Sequence, residues 1–126
     1  MITKGLIVRE SLLDEQLPQF LKSYVSRCYP HSIDGINNIE IIELNLDNQT
    51  VSNVALRLAQ QLKPRLYYAH FVNGDTMTIV FPKVVCLLVK GDSESLLRAQ
   101  ALGLTYNISL EQMQFDKMFY EDHPDA

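Results

Sequence analysis

Two β-rich runs, Leu66 to Val72 and Asp75 to Phe81, flank the dipeptide Asn73-Gly74. A two-residue type I′ hairpin turn needs positive φ at both central residues, and asparagine followed by glycine supplies that at little steric cost. The feature predicts an antiparallel hairpin with Val72 opposite Asp75, His70 opposite Met77, Tyr68 opposite Ile79 and Leu66 opposite Phe81. These side chains share one face, and Tyr67, Ala69 and Phe71 share the other with Thr76, Thr78 and Val80. Pro82-Lys83 predicts a second tight turn into a third strand, Val84 to Val89. That strand is apolar on both faces, which places it inside the sheet or inside an interface.

The remaining pattern surrounds this meander with further strands and helices. Residues 3–9 predict an interior strand, with Leu6, Ile7 and Val8 apolar in succession. Ser11 to Leu21 predicts a short helix, with Asp14 as a cap, Glu15 in the first turn and Pro18 near the start. Residues 22–29 suit a strand better than helix, and Pro30 closes them. His31 to Asn38, with Asp34-Gly35, predicts a loop. Residues 39–46 alternate, with Ile42, Leu44 and Leu46 facing the core.

A helix starting at Asn48 or Thr50 carries the apolar stripe Val51, Val54, Ala55, Leu58 and Leu62, and ends at Lys63-Pro64. A later helix starts near Gly91-Asp92 or Ser93, with Leu97, Ala101 and Leu104 as its apolar side and Gly103 at its left-handed end. Ser109 to Gln112 has capping-box spacing.

The order of elements predicts an α+β fold: a mainly antiparallel sheet with helices on one face, a ferredoxin-like variant. Residues 1–115 are expected to form a single α+β domain and 116–126 a C-terminal tail that frays.

Composition narrows the function classes. Eleven lysines and arginines against fifteen carboxylates leave a formal net charge of −4. A nucleic-acid groove needs a basic stripe to displace counterions, so no nucleic acid and no membrane surface is expected as a partner. Two separated cysteines, Cys28 and Cys86, are expected as reduced, semi-buried thiols rather than a disulfide framework. The opening residues hold too short an apolar run for a signal peptide, and no stretch approaches the roughly 18 apolar residues of a spanning helix. A soluble, cytoplasmic protein is the expectation, in which the sequons at Asn48 and Asn107 carry no sugar.

The segment from Lys4-Gly5-Leu6-Ile7-Val8-Arg9-Glu10 to Ser11-Leu12 resembles the opening of a group of short uncharacterised prokaryotic proteins. Lys63-Pro64, Tyr68-Ala69-His70-Phe71, Asn73-Gly74-Asp75 and Ile79-Val80-Phe81 resemble their central hairpin. Ser109-Leu110-Glu111-Gln112 followed by Phe115 resembles their ending. The resemblance spans nearly the whole chain. It implies no activity, because that group has no established function, and it assigns no functional residue.

No phosphate-cradling glycine loop, zinc-protease helix, nucleophile elbow or dinucleotide fingerprint is present, so no catalytic residue, cofactor or metal is expected. Cys28 and His31 have a spacing that can seed a zinc site but lack a second pair of ligands. Glu40 and Glu43 point to opposite faces of a strand and make no catalytic pair.

The candidate ligand-binding residues are Tyr68 and His70, side by side on one hairpin face, with Arg9 at the end of the first strand. An imidazole titrating near neutrality can act as acid, base or hydrogen-bond anchor. Tyr67, Phe71, Phe115, Phe119 and Tyr120 form either an aromatic patch or core packing. The function expected is a non-enzymatic interaction module forming a homodimer, with the two-faced strand Val84–Val89 as its motive. The alternative is a small-molecule binder or small enzyme with a pocket around Tyr68 and His70.

Overall fold

A computed structural model describes residues 2–14, 18–32, 38–64 and 67–120. Glu15, the Asp34-Gly35 loop, Leu66, His123 and the tail from 121 to 126 lie outside the described residues.

Strand β1 (Ile2–Val8) is central. It pairs with β3 (Asn38–Asp47) on one side, Ile7 opposite Ile42, and with β4 (Ala69–Asn73) on the other, Leu6 opposite His70. Both of its faces are covered, Ile7 in a core with Ile42 and Leu44 and Leu6 beside His70 and Met118, so both residues are buried. Strand β2 (Val25–Ser32) lies outside β3, and β5 (Thr76–Phe81) and β6 (Val84–Val89) extend the sheet beyond β4. The order is β2-β3-β1-β4-β5-β6, with every neighbour antiparallel.

The first four strands, with α1 (Gln19–Lys22) and α2 (Asn48–Ala59), make the βαββαβ unit of a ferredoxin-like fold, and β5 and β6 are an added hairpin. The expected α+β architecture with a ferredoxin-like order forms, but its helices are not confined to one face as expected, because the added hairpin carries a second apolar face. Helices α1 and α2 share a face. There Leu21, Val54, Ala55 and Leu58 pack with Ile7, Ile42, Leu44 and Phe71. The added hairpin needs its own cover on the opposite face. Helix α3 (Ser93–Leu104) and the C-terminal turns supply it, packing Ala99, Met113 and Phe115 onto Met77, Ile79, Phe81 and Leu88.

Several local expectations change. Most of the helix expected from Ser11 to Leu21 is replaced. Its described residues form a 3-10 turn at Arg9–Ser11, an extended stretch and the single turn of α1, where Pro18 is the N-cap. The stretch is taken by the chain after α2: Leu12 bridges Leu62, the Leu13 amide donates to Gln61 at 2.7 Å, and the Lys63 amide donates to Ser11 at 2.7 Å. Pro30 sits inside β2 rather than closing it, because β2 is an edge strand and an edge tolerates a missing donor.

The hairpin turns one residue later than expected. Asn73 pairs with Thr76, Val72 with Met77 and His70 with Ile79, so the loop is Gly74-Asp75. Gly74 has φ +57° and Asp75 has no positive φ, so only the first central position needs glycine, as in a type II′ turn. The register therefore slips by two residues, and a two-residue slip leaves every side chain on its expected face.

Helix α3 is turned from its expected orientation. Ser95, Ala99 and Gly103 face the sheet, while Leu97 and Leu104 are exposed. Its left-handed residue is Asn107 (φ +62°), where Ile108 and Asn107 amides return to Gly103 and Leu104 carbonyls in a Schellman pattern. A 3-10 turn at Leu110–Gln112 follows Ser109, whose side chain makes no cap bond. Packing continues past the expected boundary at 115: Met118 is buried in the second core and Lys90 lies 4.3 Å over the Tyr120 ring. Cys28 is exposed rather than semi-buried, and Cys86 is half-buried. No helix among the described residues is long and apolar enough to cross a membrane.

Candidate functional site

Tyr68 and His70 lie together, as expected, with ring centroids 6.2 Å apart. The two residues have different local partners. The Tyr68 hydroxyl donates to the Gln112 carbonyl and lies 3.7 Å from Met118 Sδ, and its ring meets Phe115 edge-on at 5.1 Å. Tyr68 thus ties the C-terminal turns to the sheet. His70 is 6% exposed and lines a hollow of about 160 Å³ with Lys4, Leu6, Val72, Met118, Phe119 and Tyr120. Ligand pockets commonly start at roughly 300 Å³, so this space suits only a handful of atoms.

Arg9 is not part of that group. Its Nε donates to the Glu40 carboxylate, and that bond holds the guanidinium pKa above its ordinary value against the opposing effect of burial. Glu40 alternates with Ile42 and Leu44, on the α2 face of β3, whereas His70 points to the opposite face. The Glu10 carboxylate accepts the Glu40 amide at 3.1 Å, which fixes this corner further.

Glu43, on the other face as expected, gathers Lys4 Nζ at 3.4 Å, Arg27 Nη2 at 3.3 Å and Ser26 Oγ at 2.8 Å. Burial pushes the Glu43 pKa up, but the Ser26 bond and the two cations outweigh it and hold the carboxyl below its usual range. Lys4 and Met118 were not recognised beside His70 because they arrive through β1–β4 pairing and the fold of the tail. Among the described residues, no group of three or more histidines, cysteines or carboxylates is placed to share a metal. Of the aromatics weighed as a surface patch, Phe71 and Phe115 are fully buried and Tyr120 is exposed.

The second feature is the edge formed by β6. An apolar strand here is expected inside the sheet or inside an interface; it is not inside the sheet, since among the described residues β6 pairs only with β5. Leu87 is 65% exposed and Val89 46%. Helix α2 adds Leu56, 62% exposed, on the same side: Arg57 leans over Phe20 toward α1, while Ser52, one turn before Leu56, borders Thr76 and Thr78 of β5. The opposite edge, β2, has Pro30, a register shift between Val25 and Arg27, and polar Ser26, Arg27 and His31. Those are the devices that keep an edge from pairing, and β6 has none of them.

No protein-family model matches the chain, and neither the curated proteins nor the solved structures contain a match.

Proposed function

We propose that the protein is a non-enzymatic interaction module that works as a homodimer. The observation that carries this is the exposed apolar group Leu56, Leu87 and Val89 around an edge strand that lacks any charge or proline. Contiguous exposed apolar surface is a mark of interaction sites, whereas single exposed apolar residues are ordinary. The Tyr68 hydroxyl, engaged by Gln112, performs a structural task rather than a chemical one. The net charge of −4 favours a protein partner over nucleic acid or an anionic membrane surface. In this reading the module acts in the cytoplasm, where thiols such as Cys28 and Cys86 stay reduced. Sedimentation velocity at micromolar concentration is expected to give the mass of two chains. A monomer at the highest attainable concentration overturns the proposal.

A second reading is favoured by one observation, the hollow beside His70. In it the protein binds a very small molecule there. A thermal-shift screen compares wild type with His70→Gln. A compound that raises the melting temperature of the wild type by several degrees and leaves the folded variant unmoved establishes that reading.

A further inference from the structure

We infer that the dimer forms edge to edge, β6 of one protomer pairing antiparallel with the partner's β6 about a twofold axis at Cys86, with Val85 opposite the partner's Leu87. This rests on the homodimer reading and adds the surface, the register and a chemical signature.

The register follows from which backbone groups β6 leaves open. In an antiparallel ladder, alternate residues bond to a given neighbour. The Lys90 amide donates to the Asp75 carbonyl at 2.8 Å, just beyond the Thr76–Val89 pair. Residues 84, 86, 88 and 90 therefore bond inward to β5, and 85, 87 and 89 present their groups outward. Val89 agrees and is already satisfied within the chain. Its amide donates to Ser95 Oγ at 3.1 Å, and its carbonyl accepts the Asp92 amide at 3.0 Å. Lys83, at the other end, spends its amide on the Ala59 carbonyl at 2.9 Å. Val85 and Leu87 are left as the pair of residues with outward donors and acceptors.

Three twofold arrangements bring these groups together. An axis at Val85 would set that residue against its own copy and Leu87 against Lys83. An axis at Leu87 would set Val85 against Val89. Each makes two hydrogen bonds and spends the rest on groups already engaged. An axis at Cys86 sets Val85 against Leu87 twice and makes four bonds from groups that meet no other strand among the described residues. Each such bond is worth about 1 kcal/mol net, so the count favours this register. It also lays the exposed Leu87 across from an apolar Val85 on the α2 face.

The same register puts Cys86 directly opposite its copy in a non-hydrogen-bonded position, where Cα atoms lie about 4.5 Å apart. That falls inside the ~4.4–6.8 Å span of a disulfide. Two Cys86 thiols would then join under copper–phenanthroline in air, the copper and oxygen taking two electrons as two protons leave. Cys28, on the opposite edge strand and exposed, supplies the collision control.

The test uses the full chain in three forms, Cys28→Ser, Cys86→Ser and Leu87→Lys. Under brief oxidation, Cys28→Ser is expected to run as a covalent dimer on a non-reducing gel, while Cys86→Ser stays single. Leu87 is exposed in the protomer, so Leu87→Lys is expected to fold with unchanged circular dichroism and to weaken dimerisation at least tenfold by sedimentation. A wild type that sediments as a monomer overturns both this inference and the homodimer reading. A wild-type dimer that neither cross-links at Cys86 faster than at Cys28 nor responds to Leu87→Lys overturns the edge pairing alone.

Discussion

Gly5 stands in the middle of the central strand, where a side chain would ordinarily add to the core. Its place is set by Phe71, the residue directly opposite on β4. A Cβ built on Gly5 would lie 2.4 Å from both Cδ1 and Cε1 of the Phe71 ring, and that ring is 1% exposed among Ile7, Leu44, Val54 and Leu58. Gly5→Ala should therefore force the ring off its rotamer, an overpacking cost of about 1–3 kcal/mol. Stiffening the unfolded chain returns about 0.4–1 kcal/mol. The net expectation is destabilisation by about 1–2 kcal/mol, a fall in melting temperature of roughly 3–8 °C. Phe71→Leu removes the obstructing edge of the ring and costs stability in its own right. In that background Gly5→Ala should become neutral or mildly stabilising, a coupling of about 1–3 kcal/mol. Equilibrium urea denaturation of the four proteins at one fixed concentration measures the cycle, because the proposed dimerisation would make apparent stability depend on concentration. If Gly5→Ala stabilises the wild type, or costs the same in both backgrounds, the close approach of ring and strand is not what excludes a side chain at Gly5.

Tyr68→Phe removes the hydroxyl that donates to Gln112 and is expected to cost about 1 kcal/mol. Hydrogen exchange should quicken in 110–119 far more than in β3; equal changes in both would contradict a local tie. Glu43 has a folded pKa below its usual range, so the unfolded state takes up its proton first as pH falls. Its contribution is complete above the unfolded value of about 4.3 and is lost as pH drops through the lower folded value. Glu43→Gln is thus expected to be less stable by about 1 kcal/mol at neutral pH, with the difference closing in acid. A gap that persists or widens at pH 3 refutes the assignment.

Features governed by a local period were legible in the sequence. The alternation of Ile42, Leu44 and Leu46 and the stripe from Val51 to Leu58 depend only on neighbours within a strand or helix, and all are buried as read. The helix itself ends at Ala59, short of the expected Lys63-Pro64, and Leu62 is buried beyond it in a bridge to Leu12. Asn73-Gly74 located the turn within one residue, but the choice between one and two positive-φ positions shifted the pairing. Helix α3 resisted the same approach because its inner face is built from small residues. A Cβ on Gly103 would lie 2.0 Å from Met113 Sδ, so the helix sits close with Ser95, Ala99 and Gly103 inward, and its larger leucines at 97 and 104 turn out. The neighbours of Tyr68 and His70 were illegible for a different reason. They come from β1 and from the C-terminal turns, which only long-range pairing brings together. Arg9 was grouped with them on polarity alone, and strand alternation sends its partner Glu40 to the other face.

Strand β6 separates these two kinds of information. Its composition reads as interior, since Val84 to Val89 has no polar side chain beyond a thiol. The topology nevertheless ends the sheet at that strand, because the chain turns from Val89 into α3 and sends no later strand to its open side among the described residues. Among the described residues, an interior composition on an edge position leaves the outward backbone groups of Val85 and Leu87 without a strand partner and the side chains of Leu87 and Val89 exposed. The chain answers part of this itself: Ser95 and Asp92 occupy the Val89 groups, and α3 covers the face that carries Cys86 and Leu88. What is left, Val85 and Leu87, is symmetric about Cys86, which is the basis of the proposed pairing with a second copy. The local pattern and the topology become consistent once β6 has a second strand on its open side, which turns it into the interior strand its composition describes.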